Sequence, residues 1–206
     1  MKRNLKNLLV WLWINLILCI SIFILIWVLI LLFPNTMLTI FGKWAVLMKA
    51  FGAKNINEFT SQSNMFMHIL KMNALTVAIY FVIGLLLQSP LVMIFTGAFY
   101  SFIAFLAPLT IGRSFGNNDW LLLTVELFTL VLGISLSSAL AGDLFNVESN
   151  VKSLLSYWKQ NWNTLLPKPV DNWRLILRQW GGTLFLVLTI ILLLLAFVTW
   201  FETYGY

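Results

Sequence analysis

The sequence carries no charged residue between Leu8 and Phe33. An uncharged apolar stretch of this length exceeds the roughly 20 residues that an α-helix needs to cross the hydrocarbon core of a bilayer. It is also too long for the apolar core of a signal peptide, and no small-residue cleavage pattern follows it. We therefore expect it to remain in the membrane as a first span, which Pro34 and Asn35 end.

The composition extends this expectation to the rest of the chain. Of its 206 residues 61% are hydrophobic and only 10% are charged, and the mean hydropathy is +0.92. About a quarter of the residues in a soluble domain are charged, so this chain has too few charges to cover a water-exposed surface. The net charge of +6 is scattered between apolar runs, a pattern that favours anionic lipid headgroups over nucleic acid as partners.

Four further apolar runs complete an all-α prediction: a single integral membrane domain over residues 1–206, folded as a polytopic transmembrane helix bundle with about five spans. The predicted spans cover about residues 8–33, 66–87, 91–111, 120–142 and 182–201, and the extramembrane segments are 34–65 and 143–181. The short break between spans two and three predicts an antiparallel hairpin. The tryptophans expected at the membrane interfaces are Trp11, Trp13, Trp27, Trp180 and Trp200.

Both extramembrane segments contain apolar residues at helical spacing, which predicts two interfacial amphipathic helices. The first pattern spans residues 37–51, where a packed loop helix is an equal alternative. The second runs from residue 144 to residue 165, and a short further helix is expected through Trp180 before span five begins at Gly182. The stripe of the second helix, a candidate partner-binding surface, includes Leu144, Val151, Trp158 and Trp162.

The basic residues predict the orientation of these spans. Lys2, Arg3 and Lys6 flank span one, and five more basic residues lie in the segment 143–181. Four predicted spans separate these two groups, so both lie on the same side of the membrane. The positive-inside rule assigns that side to the cytoplasm. The sequence therefore predicts a multi-pass protein of the cell membrane with a cytoplasmic N-terminus and an external C-terminus.

The chain has one cysteine, Cys19, and one histidine, His68. An intrachain disulfide is therefore impossible, and a structural zinc site with about four Cys or His ligands cannot be built within one chain. We interpret Cys19 as a small apolar packing residue. His68 is interpreted as a polar interfacial residue, with a functional role as the alternative. We expect no metal and no cofactor, and the chain lacks a phosphate-binding GxxxxGK[ST] loop.

Glu126 is the clearest charged residue inside a predicted span, where such a group costs at least about 2.5 kcal/mol near the helix centre. On a helix it shares a face with Gly133 and Ser137, and small residues at this spacing favour close contact with another helix. We hypothesise an interior polar seam, in which hydrogen-bonded packing is favoured over chemistry. The candidates for the seam on spans two and three are Asn73, Tyr80, Gly84, Gly97 and Ser101.

An intramembrane enzyme is the disfavoured alternative for these residues. Only one acid lies well within a span, whereas Asp119, Asp143 and Glu202 lie at span ends. Ser101, His68 and Asp119 can be combined into a triad on paper, but no nucleophile elbow or ordered spacing supports it. We therefore assign no catalytic residue, and keep His68 and Glu202 as further site candidates.

A pattern of polar and small residues runs through residues 66–206. Its members are Asn73, Gly84, the pair Thr96-Gly97, Glu126 within LTVELF, the pair Ala141-Gly142, and Glu202 before Thr203 and Tyr204 near the chain end. This pattern resembles the stage II sporulation protein M family of bacterial and archaeal membrane proteins. Leu122 and Leu123 stand where the family's signature has His-Gly, so no role of that histidine carries over.

The resemblance implies a membrane role rather than a reaction. It implies a scaffold that holds peptidoglycan-remodelling enzymes at the membrane during engulfment, or an accessory protein for export of, maturation of or immunity to circular peptide bacteriocins. The leading hypothesis is a non-enzymatic scaffold that recruits other membrane or membrane-associated proteins, with a second copy of the chain as a further candidate partner. The alternative is the membrane component of a transporter for peptide export or immunity, with a separate ATPase docked on residues 144–165.

Overall fold

The computed structural model describes residues 2–37, 39–40, 61–86, 89–111, 116–147, 156, 159 and 170–204. Within these ranges the chain forms five long helices and no strand, which confirms the all-α prediction. The helices are α1 (Lys2–Leu32), α2 (Gln62–Leu85), α3 (Ser89–Ile111), α4 (Asn117–Leu144) and α5 (Trp173–Tyr204). By length and composition, α1, α2, α4 and α5 are each apolar enough to cross a membrane.

Helix α4 occupies the centre of a helical bundle. It contacts α1, α2, α3 and α5, whereas α1 packs chiefly on α3 and α4, and α2 chiefly on α4 and α5. Every side chain of α4 from Thr129 to Gly142 is buried. Small residues in this stretch, including Gly133 and Ser137, let neighbouring helices approach closely. The Asn15 amide of α1 donates a buried hydrogen bond of 2.9 Å to the Ser135 hydroxyl and ties α1 to α4.

The outer surface of the bundle is apolar. From Asn4 to Cys19 the residues of α1 that face the bundle recur every three or four positions, and they include the polar Asn4 and Asn15. On α5 the buried residues include Thr183 and Thr199. Large apolar side chains point away instead: Trp13 is 63% exposed and Phe185 is 77% exposed. The interior is mainly apolar with some polar groups, and the exterior is rich in large apolar side chains, which suits contact with lipid rather than water.

The predicted boundary between a short helix and span five is wrong. Helix α5 runs without interruption from Trp173 to Tyr204, through Gly181 and Gly182. Each glycine lowers helix stability by only about 1 kcal/mol, and buried contacts on both sides of the pair, from Trp180 and Thr183, offset that loss. Helix α1 likewise begins at Lys2, ahead of the apolar run.

The predicted amphipathic helix does not begin at Leu144, because this residue ends α4. The N–H of Val147 donates to the carbonyl of Gly142 at 2.7 Å, and Asn146 adopts a left-handed conformation with φ of 56°. This is the hydrogen bond of a Schellman motif, and Asn is one of the few residues that accept the left-handed position easily. The other stripe residues, Val151, Trp158 and Trp162, lie outside the described residues, as does most of the segment 37–51.

Two of the five tryptophans expected at the membrane interfaces are buried between helices, and two others are exposed on the outer surface. Trp11 and Trp180 are completely buried, while Trp13 and Trp200 are exposed on the outer surface. The half-buried Trp27 stacks on Phe23 and contacts the rings of Phe105 and Trp120. Sequence position alone did not separate the buried from the exposed tryptophans, because residues two positions apart on a helix, such as Trp11 and Trp13, face nearly opposite directions.

Candidate functional site

The interface of α2 with α4 is a direct contact between backbones. The Ser138 hydroxyl donates to the Gly84 carbonyl at 3.3 Å. A Cβ atom at Gly84 would overlap the Ser137 hydroxyl and lie 2.6 Å from the Ile134 carbonyl oxygen. Gly133 is less crowded, with Val77 at 3.4 Å from such an atom. The structure thus brings together Gly84, Gly133 and Ser137, three of the candidates for the seam.

Two candidates on α3 have different surroundings. A Cβ atom at Gly97 would overlap the carbonyl oxygen of Cys19, so Gly97 is the site where α3 packs against α1 rather than α4. Cys19 itself is buried and clusters with Met93 and Ile134. Ser101 is completely buried, and its hydroxyl has no hydrogen-bond partner among the described residues.

Four helices contribute to a polar cluster around Glu126, which we call the carboxyl cluster: Asn73, Tyr100, Glu126 and Glu202. The hydroxyl of the buried Tyr100 hydrogen-bonds to the Glu126 carboxyl, which links α3 to α4. The Asn73 amide donates to the Glu202 carboxyl at 3.2 Å and links α2 to α5. Glu126 and Glu202 are close enough to interact electrostatically. Each carboxyl therefore has a hydrogen-bond donor from a neighbouring helix.

A second hydrogen bond extends the seam between α2 and α3. The hydroxyls of Tyr80 and Thr96 lie 2.7 Å apart, and the Thr96 hydroxyl also contacts the carbonyl of Val92 at 2.7 Å. The pair thus bonds across the predicted hairpin. Tyr80 is half-buried, whereas Thr96 is buried.

The space next to Glu126 is small. A cavity of about 10 Å³ lies between α2, α4 and α5, with Asn73, Thr76, Glu126 and Thr129 as its polar lining. A cavity of this volume can hold about one water molecule. The Thr76 and Thr129 hydroxyls donate to carbonyls of their own helices, at 2.9 and 2.7 Å. This space beside the carboxyl cluster can hold a water molecule.

Asp119 and His68, which were combined with Ser101 into a possible catalytic triad, lie at the starts of two different helices. The Asp119 carboxylate accepts a 2.8 Å hydrogen bond from the Gly116 N–H and so caps the first turn of α4. His68 is half-buried in the first two turns of α2. Among the described residues, no group of three or more His, Cys, Asp or Glu side chains could hold a metal ion.

A second polar cluster, which the sequence analysis missed, surrounds Asp143 at the end of α4. The Asp143 carboxylate accepts from the Asn7 amide at 3.1 Å and from the Trp180 indole N–H at 2.8 Å, and Arg3 lies 3.8 Å away. The Asp143 side chain is only 15% exposed. A signal existed in the sequence: an acid at a helix C-terminus is opposed by the helix dipole and therefore needs donors from other elements.

Beside Asp143 the bundle opens into a polar cavity of about 650 Å³. It lies where α1 begins, α4 ends and α5 begins. Its polar lining includes Arg3, Lys6, Asn7, Asn146, Asn172 and Gln179. The cavity is within the range of volumes that small-molecule sites occupy, and it is far larger than the space beside Glu126.

Comparison of the chain with protein-family models, with curated proteins and with solved structures gives no match. The function therefore has to be argued from the residues and the geometry.

Proposed function

We propose that this protein is a five-span integral membrane protein that acts as a non-enzymatic scaffold or accessory protein and recruits other proteins at the cell membrane. Its N-terminus is cytoplasmic and its C-terminus external. The resemblance to the stage II sporulation protein M family supports this role. The proposal counts α3 as a span in addition to α1, α2, α4 and α5. It assigns partner recruitment to the apolar stripes of the two extramembrane segments.

Membrane insertion is supported by the direction in which side chains point. The outward faces of α1 and α5 carry exposed side chains such as Trp13, Phe185 and Leu193, which water would solvate poorly. Within the bundle, polar groups such as Asn15 are hydrogen-bonded across helices. Helix α3 spans Ser89–Ile111, and 23 residues are enough to cross a hydrocarbon core of about 30 Å.

The scaffold role rests on one observation above all: α4 fills the centre of the bundle. Its side chains are buried from Thr129 to Gly142, and the cavity beside Glu126 holds about one water molecule. A transport path or a substrate site at Glu126 needs a water-filled passage or a pocket there, whereas the larger polar cavity lies at the end of the bundle beside Asp143. The close packing and the hydrogen bonds across helices, such as those of Asn15, Asn73 and Tyr80, favour a role for the polar groups in stabilising contacts between helices.

Partner recruitment can be tested with the tryptophans of the second extramembrane segment. We expect the double variant Trp158→Ala and Trp162→Ala to lose cross-linked partners at least about tenfold, because a single buried aromatic anchor contributes about 2 kcal/mol or more at an interface and about 1.4 kcal/mol corresponds to a factor of ten. Partners would be quantified by mass spectrometry after cross-linking in host membranes. Trp13→Ala serves as the control, because Trp13 lies on the outer face of α1.

Two results would contradict the proposal. One is that purified protein alone converts a peptide or lipid, which would make it an enzyme. The other is peptide movement across vesicles that requires this chain together with an ATPase, which would support the transporter alternative.

A further inference from the structure

The polar cavity beside Asp143 is not used by the proposed function. It is bounded by the first two turns of α1, the end of α4 and the start of α5. The proposed orientation places this end of the bundle at the cytoplasmic surface of the membrane. The cavity therefore lies at the level where the spans leave the hydrocarbon core and meet the lipid headgroups.

The charges around the cavity favour an anion. The Asp143 carboxylate already accepts from the Asn7 amide and the Trp180 indole. Arg3 approaches Asp143 through one nitrogen at 3.8 Å and its side chain is 71% exposed, so most of its five N–H donors remain free for a ligand. Lys6 adds a second exposed cation to the lining. Two cations against one carboxylate leave the lining with a net positive charge.

The polar neutral residues and the helix ends act in the same direction. Asn146, Asn172 and Gln179 add side-chain amides to the lining. Helices α1 and α5 begin at this end and α4 ends here, so the positive ends of two helix dipoles outnumber the negative end of one at the cavity. These groups supply hydrogen-bond donors of the kind that bind phosphate oxygens.

One edge of the cavity is apolar and continues onto the outer surface. Val10 and Leu175 belong to the lining, and Leu175 is 53% exposed on the outer surface of α5. A soluble phosphate compound has no apolar part that would contact this edge. A lipid has one, because its headgroup can lie among the polar residues while its acyl chains contact the apolar edge.

We propose that this cavity binds the phosphodiester headgroup of an anionic phospholipid, with Arg3 and Lys6 contacting the phosphate oxygens. The inference rests on the membrane insertion proposed above. It goes beyond general attraction of basic residues to the membrane, because it assigns a defined site to Arg3 and Lys6 and not to the other basic residues on this side.

The test compares two pairs of charge removals at the same end of the bundle. The cavity variant is Arg3→Gln with Lys6→Gln. The control variant is Arg174→Gln with Arg178→Gln, which removes the same charge from exposed positions of α5 that are not part of the lining. The full-length proteins would be titrated in detergent with phosphatidylglycerol, with phosphatidylcholine and with soluble sn-glycerol 3-phosphate, and bound ligand counted by native mass spectrometry.

We expect the wild type and the control variant to bind phosphatidylglycerol with similar affinity, at least tenfold more tightly than phosphatidylcholine. The cavity variant should lose at least tenfold in phosphatidylglycerol affinity. Equal losses in both variants would overturn the proposal, because they would show general charge attraction. Equal binding of sn-glycerol 3-phosphate would overturn the lipid assignment in favour of a soluble phosphate compound.

Membrane insertion is checked separately, by extracting the membranes that contain each variant with alkaline carbonate. Release of the wild type by carbonate would contradict the proposed function itself. Retention in the membrane together with unaltered lipid affinity in the cavity variant would contradict only the headgroup site.

Discussion

Replacement of Gly84 by alanine is expected to lower the free energy of unfolding by about 3 kcal/mol, the upper end of the usual range for overpacking. The added Cβ would overlap the Ser137 hydroxyl and lie 2.6 Å from the Ile134 carbonyl oxygen. A side chain can rotate away, but a backbone oxygen in the middle of α4 cannot. Helices α2 and α4 would therefore have to separate along their interface, and the hydrogen bond from Ser138 to Gly84 would lengthen.

Two other glycines provide matched controls for this substitution. Gly182→Ala meets no atom within 4 Å, and alanine favours the helix, so stability should stay unchanged or rise by up to about 1 kcal/mol. Gly133→Ala meets Val77 at an ordinary contact distance of 3.4 Å and should lie between the two. Unfolding by SDS in mixed micelles, followed by tryptophan fluorescence, measures all three. If Gly84→Ala unfolds at the same SDS fraction as the wild type, the close contact of α2 with α4 is wrong.

Replacement of Asp143 by alanine is expected to lower the free energy of unfolding by about 2 kcal/mol. The change removes the acceptor of the completely buried Trp180 indole N–H and of the Asn7 amide, and an unpaired buried donor costs about 1–3 kcal/mol. Removing a negative charge from the end of α4 raises the free energy of unfolding by about 0.3–1 kcal/mol, because the helix dipole disfavours an acid at that end. The lost hydrogen bonds are the larger effect, so the net change is destabilising.

The same SDS titration measures this effect, with Asp171→Ala as the control. Asp171 is an exposed acid just before α5, where the helix dipole favours it, so its loss should cost less than about 1 kcal/mol. Asp143→Asn keeps one carbonyl oxygen and should fall between the wild type and Asp143→Ala. Equal stability of Asp143→Ala and Asp171→Ala would show that the Asp143 cluster does not stabilise the bundle.

The helices themselves could be predicted because apolar runs and breaks dominate this sequence. Small residues at helical spacing identified Gly84 and Ser137 as positions of close contact, and the two are in contact in the structure. Which helix each glycine faces could not be predicted from spacing alone. Gly97 packs on α1 at Cys19, because the rotation of α3 is fixed by all its neighbours together.

Other features depended on contacts between residues far apart in the chain. Tyr100 is the hydrogen-bond partner of Glu126, and only the packing of α3 on α4 reveals it. Asp143 looked like a simple span end, yet its partners come from the start of α1 and from α5. The Gly181-Gly182 pair looked like a helix boundary, although local propensity there is weaker than the packing on either side.

The comparison of Glu126→Gln with Glu126→Leu tests the scaffold role most directly. Glutamine keeps an oxygen that can accept from the buried Tyr100 hydroxyl, whereas leucine leaves that hydroxyl without its acceptor. Membrane assembly, stability in detergent and the recovery of cross-linked partners would be measured for both. If the carboxyl acts through hydrogen bonding, the Gln variant assembles and retains partners like the wild type, and the Leu variant loses both. A Gln variant that assembles normally but loses partner capture or transport would show that the ionisable proton is required, and would contradict the scaffold role.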